Sequence, residues 1–496
     1  MISSIKSNRK TAALIILALS GVVLVLFNTR WGAYLSDDTY YYVYPAQDLL
    51  AGKGFNPSYI FGPMFPLALS MISLTGMKVL VAARWLNATL FGVNIYLVGS
   101  VARHLNVPAG FSLLAASLVL LSDVVAEAHG WAMSEALGIT FLLLSLVFCL
   151  DFISYQKHRY WWAAAIAAGL AGLTRYAFIP VIGAIALVLV IFPVRKRFIY
   201  RLKDAVTFGF ASLAPVVLYW LRNQIVSGSP VRYLSYVSVP FTWDQLTWIF
   251  YNWFSLFIPG RFLRGREIQA GFGILAASLF LVAILAWVYR KKWSLVGDPG
   301  SKVGLFLLAA VFIFYFAMLY LARGLTQLGI FNTRYLVPIL IVFLILLAGI
   351  AGMLWKAGGR LTRTALVGFF GFFLAYYGFR TIDFSRQVFN TGLGYSNVGW
   401  HNSETVAYIE AHPELTTMVS TGEMGIYFWT QRKPETLAAF PNPQALKEYL
   451  CQNKAPLFIM NQMPTEIYGM GHDDVVQPLT LVKNFNDGQM FACPPN

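Results

Sequence analysis

Tyr34-Leu35-Ser36-Asp37-Asp38-Thr39-Tyr40-Tyr41-Tyr42 stands directly after an apolar run, 11–28, in a chain whose further apolar runs continue to about residue 380. Those runs are roughly 20 residues each, the length that crosses a bilayer. The nonapeptide therefore lies at a membrane rim, where an ionised carboxylate costs free energy unless it is wet, paired or at work. The tyrosines around it are ordinary headgroup-level residues. In isolation the two acids also fit a solvated loop or an Asp helix cap.

Composition agrees with a membrane setting. Hydrophobic residues make up 58% of 496 and charged residues 12%, with a mean hydropathy of +0.61. The formal charge of +15 sits largely in short clusters at the ends of apolar runs. Such clusters orient a chain in a membrane and do not indicate nucleic acid. Lys6, Arg9 and Lys10 precede the first run as in a signal peptide, but the bulky Asn28-Thr29-Arg30-Trp31 offers no small-residue cleavage site. The run reads as an uncleaved span. Cys149 lies in an apolar run and reads as a small hydrophobe. Cys451 and Cys493 fall in a polar tail, where an oxidising compartment would allow a disulfide.

With the N-terminus in the cytoplasm, the basic clusters Lys157-His158-Arg159, Arg195-Lys196-Arg197 with Arg201 and Lys203, Arg290-Lys291-Lys292, and Lys356 with Arg360 and Arg363 should share that side. This requirement splits 160–193 into two short spans turning near Arg175. It also makes 60–76, with Pro63 and Pro66 near its start, an interfacial or dipping segment. About eleven spans result, near 11–28, 80–102, 109–127, 133–153, 160–174, 177–193, 204–222, 270–289, 303–322, 335–355 and 364–381. Asp37, Asp38, Lys53, Lys78, Arg84, Glu127, Glu135, Arg175, Arg222, Arg232, Arg261, Arg264, Arg266, Arg323 and Arg334 then gather on or near the outer face. Arginines there run against the positive-inside bias, and guanidinium forks match phosphate oxygens. Lipid headgroups or local ion pairs account for any one of them; the set favours an anionic ligand.

From about 390 the pattern changes to short strands, 417–421, 457–461 and 479–485, with helices at 401–412 and 443–452. The chain thus divides into a membrane domain, 1–389, whose first external loop is 31–79, and a soluble α/β domain, 390–496, outside the membrane. No Walker loop or dinucleotide fingerprint occurs in the tail.

Taken together, the pattern resembles the GT-C superfamily of polytopic glycosyltransferases, nearest to the branch of protein O-mannosyltransferases and the lipid A aminoarabinose transferase. The resemblance runs the length of the chain through loose motifs. They are Asp37-Asp38 in the first external loop, the turn Leu49-Leu50-Ala51-Gly52-Lys53-Gly54-Phe55, and Gly62-Pro63-Met64-Phe65-Pro66-Leu67 in place of a Pro-Pro-Leu-Tyr-Pro-like element. Ala83-Arg84, Ser134-Glu135-Ala136, Leu173-Thr174-Arg175, Arg222-Asn223 with Gly228-Ser229-Pro230, and Arg334-Tyr335-Leu336-Val337-Pro338 continue the match. The pair is Asp-Asp where several relatives carry Asp-Glu, and the tryptophan-rich tail signature of oligosaccharyltransferases is absent.

The resemblance implies an α-helical membrane fold of GT-C type with a small extracytoplasmic α/β domain. It also implies transfer of a sugar from a polyprenyl-phosphate donor to an extracytoplasmic protein, lipid or glycan, with inversion. Asp37 is then the expected general base, with Asp38 the alternative. Adjacent side chains in an extended loop point apart, so the two acids would have separate jobs. Glu135 would orient acceptor or sugar, unless it is ion-paired with a neighbouring arginine. Arg84, Arg175, Arg222, Arg334 and Tyr335 are the donor-phosphate candidates. Asp123 and Glu127 do not rise above background. No cofactor is expected; two carboxylates facing a phosphate leave room for a divalent cation, but the resemblance argues against one. The rival class is a lipid flippase or transporter, which would also line a phosphate path with cations. The paired broken helices common in transporters are not evident here.

Overall fold

The computed structural model describes residues 2–57, 61–192, 197–230, 251–257, 299–325 and 333–494. The span expected at 270–289, the basic residues Arg195-Lys196 and Arg290-Lys291-Lys292, and the outer arginines Arg232, Arg261, Arg264 and Arg266 lie outside them. The chain forms two compact units, one of Met1–Asn28 with Tyr41–Arg386 and the other of Thr29–Tyr40 with Gln387–Asn496.

The first unit is helical. Among the described residues seven helices are long and apolar enough to cross a bilayer: Arg9–Asn28, Val79–His104, Glu135–Tyr155, Phe198–Ser227, Gly300–Ala322, Thr333–Ala357 and Arg360–Thr391. Their burial differs sharply. The most apolar stretch of Thr333–Ala357 is 78% buried, whereas those of Arg9–Asn28 and Arg360–Thr391 are 22% and 17% buried. A helix that is apolar on all sides and enclosed by others is a central one, and those with bare apolar flanks are the lipid-facing perimeter.

Small residues bring neighbouring helices together. A Cβ at Gly92 would lie 2.7 Å from the Ala18 carbonyl oxygen and 2.7 Å from Val22 Cγ2, so Val79–His104 meets the first helix backbone to backbone. Gly169 does the same for His158–Thr174, with the Ser212 carbonyl 2.7 Å from where its Cβ would be. Close approach through small residues is how helices associate where lipid is as apolar as the side chains.

Breaks in the spans have polar causes. The helix His158–Thr174 stops at Arg175, whose backbone is extended (φ −151°, ψ 130°), and a short turn leads into Ile179–Ile191. This is the division of 160–193 expected from charge. Met64–Ser73, at 10 residues, is too short to cross and accords with a dipping segment in the first loop. The span expected at 109–127 is broken, its two helices Ala109–Leu120 and Asp123–Gly130 bent by 59° to one another. Ser122 is extended (φ −87°, ψ 110°), and the next carboxylate, Asp123, is held by Arg380. A buried acid needs its partner more than the helix needs to be straight.

In the second unit five strands, β1 (Val419–Ser420), β2 (Glu435–Thr436), β3 (Leu457–Met460), β4 (Thr480–Asn484) and β5 (Gly488–Ala492), form one sheet in the order β2-β1-β3-β5-β4. β1 runs parallel to β2 and β3, while β3–β5 and β5–β4 are antiparallel. Val419, Leu446, Leu450, Leu457, Ile459 and Phe491 close its core. The helix Glu404–Ala411 starts on Ser403, whose hydroxyl accepts from the Val406 N–H at 3.0 Å. Asp487 in the β4–β5 turn ties that start down, accepting from Ser403 Oγ and, at 2.9 Å, from Thr405 Oγ1. Cys451 and Cys493 form a disulfide across a Cα–Cα distance of 5.2 Å.

Candidate active site

The acidic pair begins a helix. Asp37–Leu50 is helical from its first acid, with Asp37 and Asp38 both in the first turn, so the extended-loop geometry expected for them does not hold. Ser36 precedes the helix; its N–H donates to Thr39 Oγ1 at 3.1 Å, and its carbonyl accepts from the Thr39 N–H at 2.9 Å. Neither acid is the cap. Both sit where exposed N–H groups and the helix dipole favour negative charge.

Asp37 is held within the second unit. The Tyr395 hydroxyl donates to Asp37 Oδ1 at 2.5 Å. The segment carrying Asp37 is itself sewn to the chain near Tyr395. The Tyr395 N–H donates to the Leu35 carbonyl at 2.9 Å, and Ser396 Oγ donates to the Ala33 carbonyl at 2.6 Å. Trp31 Nε1 adds a bond to the Phe389 carbonyl at 3.0 Å. Burial, then the bond to Asp37 and its charge, push the Tyr395 phenol well above the usual tyrosine range, so it remains a donor. Glu423 also senses Asp37, and burial first, with that repulsion added, raises its carboxyl above the ordinary glutamate value. Tyr468 Oη donates to the Thr421 carbonyl at 2.6 Å with Glu423 Oε2 3.3 Å away.

In the first unit the structure gathers four of the candidates read from sequence. Arg175 Nη1 makes an ion pair with Glu135 Oε1, the side chains only 12% and 3% exposed. The Arg175 guanidinium also lies 5.1 Å from the centre of the Tyr335 ring, and Arg334 lies 5.4 Å from the same ring. Arg334 Nη1 donates to Met133 Sδ at 2.8 Å. A thioether is a weak acceptor, so an anionic oxygen there would be a better partner for Arg334. Tyr42 Oη and Ser134 Oγ, next to Glu135, share a hydrogen bond of 2.9 Å. A Cβ at Gly62 would collide with the Leu173 carbonyl, so the incomplete Pro-Pro element packs against the end of the helix His158–Thr174, just before Arg175.

The contacts of the other two arginines run elsewhere. Arg84 Nη2 donates to the Leu26 carbonyl at 3.0 Å, near the end of the first helix. Arg222 donates to the Phe55 carbonyl at 3.2 Å and to Asn223 Oδ1 at 3.1 Å. Three residues that sequence reasoning left unranked or unnamed also have defined places. Arg380 grips Asp123 Oδ2 through Nη2 at 2.8 Å and Nε at 3.1 Å. Glu127 accepts from Trp131 Nε1 at 3.3 Å and is within electrostatic reach of Arg334. Among the described residues no group of three or more His, Cys, Asp or Glu side chains gathers to hold a metal ion.

The family model described as dolichyl-phosphate-mannose-protein mannosyltransferase matches residues 61–220. No curated protein matches the chain by sequence. Among solved structures, ArnT from Cupriavidus metallidurans bound to undecaprenyl phosphate is 13% identical with a TM-score of 0.58, covering 98% of this chain and 100% of that one. The archaeal oligosaccharyltransferase AglB from Archaeoglobus fulgidus, in complex with an inhibitory peptide and a dolichol-phosphate, is 13% identical with a TM-score of 0.55, covering 92% and 70%. The arabinofuranosyltransferase AftD from Mycobacteria is 15% identical with a TM-score of 0.54, covering 97% of this chain but 40% of that one.

Proposed function

We propose that this chain, a multi-pass membrane protein with the GT-C fold, transfers a sugar from a polyprenyl-phosphate donor to an acceptor outside the cytoplasm. The observation that carries the reading is the full-length likeness to ArnT with bound undecaprenyl phosphate. Within the second unit a carboxylate, Asp37, stands at a helix start. Within the first, two guanidinium groups, Arg175 and Arg334, flank Tyr335.

In this reading Asp37 takes the proton of an acceptor hydroxyl or amine as that atom attacks the anomeric carbon. The bond from the acceptor to the anomeric carbon forms, the bond to the phosphate oxygen breaks, and polyprenyl phosphate leaves. Arg334, with Tyr335 beside it, stabilises the charge that grows on the departing phosphate. Glu135 acts through its ion pair, aiming Arg175 and limiting its motion. Arg84 and Arg222 hold backbone. Their bonds to carbonyls support a structural role, and they stand lower as phosphate ligands. Asp38, beside the base, remains the alternative. No step asks for a metal ion. The basic clusters favour a cytoplasmic N-terminus and an external second unit in a plasma membrane.

The test is glycosyl release from a panel of synthetic polyprenyl-phosphate sugars by purified full-length protein and its Asp37→Asn variant. One donor should be turned over, and the variant should lose that turnover while keeping its fold. Movement of labelled lipid across reconstituted vesicles without any turnover would overturn the enzyme reading in favour of a flippase.

A further inference from the structure

Tyr395 is over-determined for a residue that only fills space. Its backbone N–H binds the Leu35 carbonyl at 2.9 Å, and the Tyr395 carbonyl accepts from Trp429 Nε1 at 3.0 Å. Gly394 before it bridges to Leu35, and Ser396 after it binds Ala33. The ring, 9% exposed, stands edge-on to Trp400 at 5.4 Å and against Phe428 at 6.0 Å. A phenylalanine would make those ring contacts equally well. What the hydroxyl adds is one bond, to Asp37 Oδ1 at 2.5 Å.

We infer that Tyr395, from the soluble unit, is a positioning residue for Asp37, occupying Oδ1 so that Oδ2 is the oxygen presented to the acceptor. The inference rests on the reading of Asp37 as the base. Glu423 on the helix Glu423–Thr430 and Tyr468 also face Asp37, Asp38 is adjacent in sequence, and Lys433 stands 4.4 Å from the ring of Tyr40, three residues on. A hydrogen bond to a charged group is short and directional, so the Tyr395 hydroxyl fixes the rotation of the Asp37 carboxylate.

The experiment uses full-length protein and the donor found in the panel above, comparing Tyr395→Phe with wild type. The expected result is a kcat lower by about tenfold, the loss of one hydrogen bond to a charged group. KM for the donor should stay near wild type, because the bond orients the base and not the donor. A wild-type kcat, or activity lost only in proportion to folded protein, would overturn the inference. Should the Phe variant fail to fold, a ring-fluorinated tyrosine at 395 keeps the shape and is a stronger donor. It should hold kcat at or above wild type, and a kcat that falls with the fold intact overturns the proposal. An active Asp37→Asn variant is a separate outcome that removes Asp37 as the base, whatever Tyr395 does.

Discussion

Removing the carboxylate from Glu135 should unbalance the membrane unit before it affects any chemistry. The Glu135–Arg175 pair is almost fully enclosed, with side-chain exposures of 3% and 12%. Breaking such a pair from one side leaves a buried charge without its counter-ion and costs about 3–5 kcal/mol. The Tyr335 ring, 5.1 Å from the Arg175 guanidinium, would retain only a cation–π attraction of about 0.5–2 kcal/mol. Glu135→Gln and Arg175→Met should therefore each lose several kcal/mol in equilibrium unfolding in mixed micelles. The double variant Glu135→Leu with Arg175→Met should lose much less than the sum, because neither charge is stranded. If both single variants stay within about 1 kcal/mol of wild type, or the double variant is additive, the two side chains are not coupled in the folded protein. Glu135 would then be a carboxylate available to substrate rather than the holder of Arg175.

Gly92→Leu should cost at least about 1–3 kcal/mol, since its side chain would enter space held by the Ala18 carbonyl and Val22; loss of monodisperse protein on purification checks it, and a well-behaved variant would deny the close helix crossing. Reducing Cys451–Cys493, which are separated by 42 residues, should destabilise the second unit by about 4 kcal/mol, read as faster limited proteolysis after residue 387 with reductant present; unchanged cleavage would count against the constraint. Glu423 has a raised folded-state carboxyl, so the folded form binds its proton more tightly and its contribution to stability declines as pH rises past the ordinary glutamate value of about 4.5. Glu423→Gln should thus be more stable than wild type at pH 7 and indistinguishable from it below about pH 4, by thermal unfolding across that range; an equal effect at both pH values would refute the assignment.

Much of the fold could be read from single residues whose chemistry forbids the alternative. Arg175 inside an apolar run predicted the break that the structure has, because a lone cation does not sit mid-span. The strands near 419, 457 and 480 were visible in their short apolar and β-branched runs. Other elements were hidden because tertiary contacts, not local preference, create them. Glu423–Thr430 is helical although Ile426, Tyr427, Phe428 and Trp429 favour strands, and β5 lacks any β-branched residue. The bend at Ser122 depends on Arg380, 257 residues from Asp123. Of the candidate site, family-like motifs and outer-face placement picked out Glu135, Arg175, Arg334 and Tyr335, which the fold brings together, whereas Tyr395 lies 358 residues from Asp37 in a stretch with no signal of its own. That Arg84 and Arg222 spend hydrogen bonds on carbonyls was equally out of reach, because a backbone partner leaves no mark in the sequence.

The membership of Thr29–Tyr40 in the second unit bears on how relatives of this chain can be recombined. A tail exchanged by a single cut after Arg386 would arrive without the short segment that its residues Gly394, Tyr395 and Ser396 bind. A working chimera needs three junctions, near Asn28, Tyr40 and Arg386, so that both pieces travel together. By the same logic, substitutions tolerated in 29–40 of one relative should be accompanied by changes around 394–401, and not by changes in the helices that the segment interrupts.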